Sequence, residues 1–418
     1  MESSVLLKPP SRDDPDMIKI RNDFPFFSGA NPITEKIIYL DNAATTLKPR
    51  VMLDELLNYY QFETANIHRS NHHLASISTS KFEETRTALK CFLNASSTNE
   101  IIFTKSATES INLIASSLGK SILHPDDTIL LSQMEHHSNI VPWQLIAKTT
   151  GARIQVVPMN DDGELDLMEY KKMLNERVKL VSIVHISNTL GTINPVAEMI
   201  TLAHEFGAYF ILDAAQSFLH EKIDVQLLDP DFLVCSAHKA LGSTGLGILY
   251  GKKSLLESMP PYMGGGEMIH HVSFEKTLYN DLPYKFEAGT PPIGQVIAFK
   301  KSLEYILSIG LEKIQQYENA LLSYATHALT QIPNLRIIGN AQKKSAIISF
   351  LLGNIHPSDV GTLLDKQGLA LRVGTHCTEP LMTRLKIPGT VRASFAFYNT
   401  LEEVDSLKHA LIKIQDFY

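Results

Sequence analysis

The chain has 418 residues, 44% of them hydrophobic and 20% charged, which is ordinary for a globular protein. That length exceeds one ordinary core and predicts about two domains. The formal net charge of −7, with no basic run anywhere, argues against a nucleic-acid binder, and no apolar segment approaches the roughly 18 residues of a membrane span.

Residues 1–10 lack a positive region followed by a long apolar core, and Asp13, Asp14 and Asp16 come next, so no secretory or organellar presequence fits. Cys91, Cys235 and Cys377 are odd in number and far apart. They make no disulfide framework, suit a reducing compartment and predict a cytoplasmic protein. Residues 1–38 read as an arm, irregular through Pro9, Pro10 and the charged run to Asp16, with residues 23–27 as a short apolar anchor. Residues 79–93 carry helical spacing, with Phe82, Leu89 and Phe92 on one side. Cys91, inside that helix, is expected to be a buried structural thiol.

From residue 100 one arrangement recurs: an apolar run, a polar tip, then a helical stretch. The runs 101–103, 128–131, 179–184, 209–212 and 232–235 lead to tips at 104–108, 135–137, 187–188, 213–216 and Lys239. Apolar runs alternating with helices predict an α/β fold with a mostly parallel sheet covered on both faces. Ligands of such sheets bind beyond the carboxyl ends of the strands, which is where the five tips fall. After residues 289–292 the character changes. Helices are predicted over 297–309 and 314–329, strands over 335–338 and 346–350, and an amphipathic helix over 401–418 with Val404, Leu407, Leu411 and Ile414 on one side. The predicted organisation is an arm (1–38), a large domain (39–295) and a smaller α+β C-terminal domain (296–418).

Lys239 follows a buried run and precedes the glycine-rich turn 241–247. A restricted, partly desolvated amine there is a candidate Schiff-base nucleophile, although a lysine at a strand end is more often a surface residue. Ser106, Ala107 and Thr108 open a helix. They read equally as an anion cradle of free backbone N–H groups or as an N-cap completed by Glu109. Asp213 ends an apolar strand, where an unpaired carboxylate is costly, so it should meet a cation. An imine-forming lysine, an anion cradle and a carboxylate for a pyridinium together describe a pyridoxal-phosphate site. His136 reads equally as a group lying on the ring face or as an ordinary loop histidine, and Asn188, Gln216 and His238 as candidates to bond the ring oxygen and phosphate, whereas His137 reads as an ordinary loop histidine. No histidine pairing has metal-ligand spacing, so no metal is expected. No Gly-x-Gly-x-x-Gly follows the first strands, which weighs against a nicotinamide dehydrogenase.

The segments 39–44, 66–69, 135–143 and 236–239 resemble the class V aminotransferase group of fold-type I pyridoxal-phosphate enzymes. Within that group the chain is similar to the SufS-type (group II) cysteine desulfurases, through residues 372–382 around Cys377 and through 264–269 and 286–291. The resemblance implies a seven-stranded sheet in the large domain and a cysteine loop in the small one. It makes Lys239 the imine lysine, Asp213 the partner of the pyridine nitrogen and His136 the stacking residue, with Lys239, Cys377 and His136 catalytic. Asn188 and Gln216 would meet the cofactor oxygen. Thr108, Ser236 and His238 would hold the phosphate of pyridoxal 5′-phosphate, with Thr290 reaching in from a second subunit of a homodimer. Arg392 would grip the substrate carboxylate, aided by Asn188, and Arg372 would line the site near Cys377. Segment 264–269 would form a hairpin at the partner subunit.

Three positions depart from the family pattern: Ala107 for a second threonine, Thr375 for the first histidine before the cysteine, and Ser243 for a proline. The implied reaction takes L-cysteine to L-alanine and leaves a persulfide on Cys377, with Arg372 and His376 as positive or proton-accepting groups beside the thiol. The implied partner is a SufE- or SufU-like sulfur-acceptor protein feeding iron–sulfur cluster assembly. The alternatives are a related lyase, such as a selenocysteine lyase or a sulfoxide lyase, and a non-catalytic sulfur carrier on the same fold. Cys235, in an apolar strand, reads as core.

Overall fold

The computed structural model describes residues 11–416. The first ten residues of the expected arm and the last two residues of the helix expected over 401–418 lie outside the described residues. After β1 (Ile38–Tyr39), seven strands build the larger sheet: β2 (Ile101–Thr104), β3 (Thr128–Ser132), β4 (Arg153–Val157), β5 (Val178–Val184), β6 (Tyr209–Asp213), β7 (Phe232–Ser236) and β8 (Gly247–Gly251). Their order is β2-β8-β7-β6-β5-β3-β4, with β8 alone running against its neighbours. The expected α/β architecture with a mostly parallel seven-stranded sheet is therefore present.

Strand β7 explains why these runs show no polar alternation. All five of its residues are buried, Leu233 and Cys235 in the cluster on one face and Phe232 and Val234 in the cluster on the other. Burial on both faces requires an unbroken apolar run. Cys235 is fully buried, as expected. Cys91 is exposed, against expectation. Its helix runs His73–Phe92 and buries Phe82, Arg86 and Leu89. Two residues past Leu89 is about 200° around the helix axis, which turns Cys91 to solvent.

The arm is less irregular than its composition suggests. Pro15–Asn22 is helical, because the Asp14 side chain accepts the Asp16 N–H and Pro15 begins the first turn. Phe24 is fully buried against Tyr305, Phe397 and Tyr398, which makes the apolar anchor real.

Beyond the larger sheet, β9 (Ile269–Val272) and β10 (Thr277–Tyr279) form an antiparallel hairpin. Helices Ile293–Ile309 and Leu311–Thr330 follow, then β11 (Leu335–Ile338), β12 (Ile347–Leu352), β13 (Leu369–Ala370), β14 (Arg372–Gly374) and β15 (Thr390–Ser394). The smaller sheet is antiparallel in the order β11-β12-β15-β14, while β13 pairs in parallel with β1. Residue 295 lies inside the first of those helices, whose Val296, Phe299 and Ile306 pack into the core of the larger sheet. The core behind the smaller sheet takes up that stretch of chain only from Leu321. Helix Leu401–Gln415 closes the described chain and buries Val404, Leu407, Leu411 and Ile414, the predicted face. Among the described residues, no helix is long and apolar enough to cross a membrane.

Candidate active site

The carboxyl ends of β2, β3, β5, β6 and β7 surround a cavity of about 250 Å³, also lined by Ala43 and Ala44, by Arg372 and Arg392 of the smaller sheet, and by His376 and Cys377 of the loop after β14. Every expected site residue except Thr290 lines it. Thr290 is exposed and lies outside this cavity.

Lys239 ends a short turn after β7, in which the N–H groups of Ala240 and Gly242 both donate to the Ala237 carbonyl, at 2.8 and 2.9 Å. Burial lowers its ammonium from 10.5 to about 8. Asp213 ends β6, almost wholly buried, with Oδ1 accepting the Ala215 N–H at 2.9 Å. Burial raises this carboxyl above the usual range, and the Ala215 bond and nearby Lys239 oppose the rise only in part. A carboxyl in that state lacks a strong cationic partner among the described residues, so the cation expected at this strand end is not supplied by the chain.

The opposite end of the cavity is the start of helix Ala107–Ile114. The Ser106 hydroxyl oxygen accepts the Glu109 N–H at 3.2 Å, and the Glu109 carboxylate accepts the Lys105 N–H at 2.5 Å. The cap is real, and it leaves the Thr108 end of the first turn open to the cavity. Ser236 Oγ accepts the Ala107 N–H at 2.8 Å, so its own hydroxyl proton remains to donate. Strand β8 passes so close beneath this turn that a Cβ on Gly247 would collide with the Ser106 backbone and Thr104 Oγ1. His238 is kept neutral, its imidazole lowered to about 4 by burial and then by Lys239.

His136 is likewise lowered to about 4, by burial and the Lys239 charge, and its Nδ1 faces Ser138 Oγ at 2.8 Å. Beneath it lies Glu135, which the sequence reading passed over. Its buried carboxyl is raised to about 8 by burial, although it accepts from the Ser132 hydroxyl, Val184 N–H (2.9 Å) and Asn139 Nδ2 (2.7 Å). It ties the tip of β3 to the tip of β5.

The fourth wall is cationic. Arg392, on β15, is buried; its Nη1 donates to the Asn188 carbonyl at 2.8 Å and its Nη2 to Asp41 Oδ1 at 3.1 Å. Exposed Arg372 donates from Nε to the same carboxylate at 3.1 and 3.2 Å. Asp41 therefore couples both arginines, a role invisible in the sequence. Gln216 Nε2 donates to the Ala43 carbonyl at 2.7 Å. Cys377 is exposed, while the backbone of its loop is pinned: its carbonyl accepts the His137 N–H at 2.8 Å, and the His376 carbonyl accepts Asn188 Nδ2 at 2.9 Å. His137 also accepts the Glu379 N–H at 3.0 Å, so it is a clamp rather than an ordinary loop residue.

The reading of His376 as a possible positive neighbour of the thiol needs correction. The ring is buried, bonded through Nε2 to Thr390 Oγ1 at 2.8 Å, and lowered to about 3 by burial and the two arginines. It is neutral, and only Arg372 and Arg392 bring positive charge to this wall. Three residues of the cavity wall keep buried polar atoms that no group among the described residues satisfies: Asn188 Oδ1, Arg392 Nε and His376 Nδ1. Such atoms are costly unless a ligand pairs them.

Residues 38–407 match the family model described as aminotransferase class-V. A curated relative, a cysteine desulfurase of Synechococcus elongatus, is 47% identical over 96% of this chain, and the chain spans 64% of that protein's length. A probable cysteine desulfurase of Streptomyces coelicolor is 46% identical over 96% of this chain and 97% of its own. Among solved structures, the apo cysteine desulfurase of Thermococcus onnurineus matches with a TM-score of 0.91 at 36% identity, covering 99% of each chain.

Proposed function

We propose, since the chain belongs to the aminotransferase class-V family, that it is a pyridoxal-phosphate-dependent cysteine desulfurase converting L-cysteine to L-alanine with a persulfide on Cys377. The observation that carries this reading is one cavity lined by Lys239, Asp213, Arg392 and an exposed cysteine.

The residues fit pyridoxal 5′-phosphate. Asp213, raised by burial and short of a cation, would hold the pyridine nitrogen. The helix start at Thr108, the free Ser236 hydroxyl proton and His238 would hold the phosphate, joined by Thr290 of a second copy. Asn188 Oδ1 and Gln216 would meet the ring oxygen, and neutral His136 the ring face. When bound, the cofactor draws off the negative charge that develops at the substrate α-carbon.

The chain's own groups do the rest. Arg392 offers its unpartnered Nε–H to the substrate carboxylate. Lys239 takes the α-proton. An amine near 8 is roughly one-tenth free base at pH 7, whereas an ordinary lysine there is almost wholly protonated. Cys377 attacks the substrate sulfur as a thiolate: a sulfur–sulfur bond forms, the Cβ–S bond breaks with its electron pair left on carbon, and alanine is completed by one proton delivered to Cβ and by return of the α-proton from Lys239 to Cα. The exposed persulfide then passes to a SufE- or SufU-like acceptor for iron–sulfur cluster assembly. The exposure of Cys377 on a pinned loop supports that hand-over, and the exposure of Thr290 supports a homodimer. The free thiols suit a cytoplasmic setting.

The test is incubation with L-cysteine, following alanine release and the mass of the Cys377 peptide. One added sulfur on that peptide, removable by dithiothreitol, is expected. Alanine formed without sulfur on Cys377 would remove the persulfide role. Turnover of selenocysteine or cysteine sulfinate alone would favour the related lyases.

A further inference from the structure

The carbonyl oxygen of His238 belongs to the peptide bond that leads directly into Lys239, and four donors converge on it. Thr46 N–H lies at 3.1 Å, Thr45 Oγ1 at 3.1 Å, Thr46 Oγ1 at 3.2 Å and Lys48 Nζ at 2.7 Å. A carbonyl has two lone pairs, so this exceeds what satisfying the oxygen requires. Thr46 Oγ1 also accepts the Leu241 N–H at 3.0 Å, and Leu241 sits at φ +62°, where a branched side chain is held only by its surroundings. The loop 45–48 thus grips the lysine turn on both sides of Lys239.

Lys48 supplies the amine of that grip. Among the described residues no carboxylate lies within ion-pairing distance of it. Its remaining acceptors are the two threonine hydroxyls, each at 3.4 Å. Burial lowers its ammonium to about 7. A half-buried amine without a counter-charge is costly to keep, and stability alone gives no reason to place one here rather than a methionine. We propose that Lys48 is a positioning residue for Lys239: its Nζ pins the His238 carbonyl and fixes the direction in which Lys239 presents its amine to cofactor and substrate. The turnover part of this inference rests on the desulfurase reading; the cofactor-geometry part does not.

The test uses the cofactor-loaded full chain as wild type, Lys48→Met and Lys48→Arg. Visible circular dichroism of the bound cofactor, divided by its absorbance, reports how rigidly the Lys239 linkage is held. Steady-state kinetics with cysteine report the consequence. Lys48→Met should lower the normalised signal at least about threefold and kcat about tenfold with KM little changed, because a misdirected amine fails in the transition state rather than in binding. Lys48→Arg, which keeps a charged donor, should recover most of both. The proposal is overturned if Lys48→Met retains the wild-type signal, or if Lys48→Arg is no better than Lys48→Met. If wild type does not turn over cysteine yet the dichroism still separates the variants as described, the desulfurase reading fails and the positioning role stands. Should Lys48→Met not fold, Lys48→Gln is judged by the same dichroism criterion.

Discussion

Asp41→Asn isolates the carboxylate that couples the two arginines. The backbone at Asp41 bridges to Ser394, and the Ser394 N–H donates to the Leu40 carbonyl at 2.8 Å, so position 41 is fixed beside β15 whatever its side chain. The substitution keeps shape and one acceptor but removes the charge. The Arg372 side chain is 48% exposed, and its share of the interaction is screened to below about 1 kcal/mol. The Arg392 side chain is 2% exposed, so its share decides the outcome. A hydrogen bond between charged groups contributes about 1.5–3 kcal/mol when desolvated, or about 10- to 150-fold at roughly 1.4 kcal/mol per tenfold.

The loss should fall on kcat. Without Asp41 the Arg392 guanidinium is no weaker as a cation, because a competing anion has gone, so substrate binding should hold or tighten. The guanidinium is less well aimed, because one of its two anchors has lost its charge, and the α-carbon of a bound substrate drifts from Lys239. Alanine formation under saturating and limiting cysteine separates the two effects. The expected result is kcat down by about 10- to 150-fold with KM within about threefold of wild type. An unchanged kcat, or a loss confined to KM, would show that Asp41 does not aim Arg392.

Cys377→Ala should retain the yellow colour of the bound cofactor and lose sulfur transfer from cysteine, since the loop is held by the backbone carbonyls of residues 376 and 377 rather than by the thiol. Absorbance and sulfide release check it, and sulfide at the parental rate would refute the persulfide role. Exchange of the α-proton of alanine in heavy water should rise with pH through about 8, because Lys239 is lowered from 10.5 and is the free base above that value. His136, neutral down to about 4, should add no break between pH 5 and 7, and a profile flat from about pH 6 to 9 would contradict the lysine assignment.

The strands were legible because burial on both faces leaves no other sequence solution than an apolar run, and their polar tips stood out against it. That contrast is why Asp213, His136 and Lys239 could be named in advance, and why the cavity contains them. The helix at 15–22 was hidden by the charges around it, although Asp14 followed by Pro15 is a start signal that could have been used. Asp41 and Lys48 left no trace of another kind. Their partners lie 331 and 351 residues away for Asp41 and 190 for Lys48, and pairing over such distances imprints no local period. The same holds for buried Arg86, whose guanidinium meets Glu287, 201 residues on, at 2.7 and 3.0 Å.

The reading of His376 as a positive group failed for a more general reason. Polar flanks around Cys377 suggested an open loop, and an open histidine titrates near neutrality. The loop is open at Cys377 and Glu379 but closed at His376 and Thr378. His376 and Cys377 both adopt positive φ, 53° and 58°, and on this loop one side chain is exposed while its neighbour is buried. Burial then removes the charge of the ring, just as it lowers Lys239 and raises Asp213. In each case the residue type was readable, but the protonation state was set by what packs around it. The chemistry that matters here is a matter of protonation states. Sequence pattern therefore identifies the participants of such a site more securely than it identifies which of them carry charge.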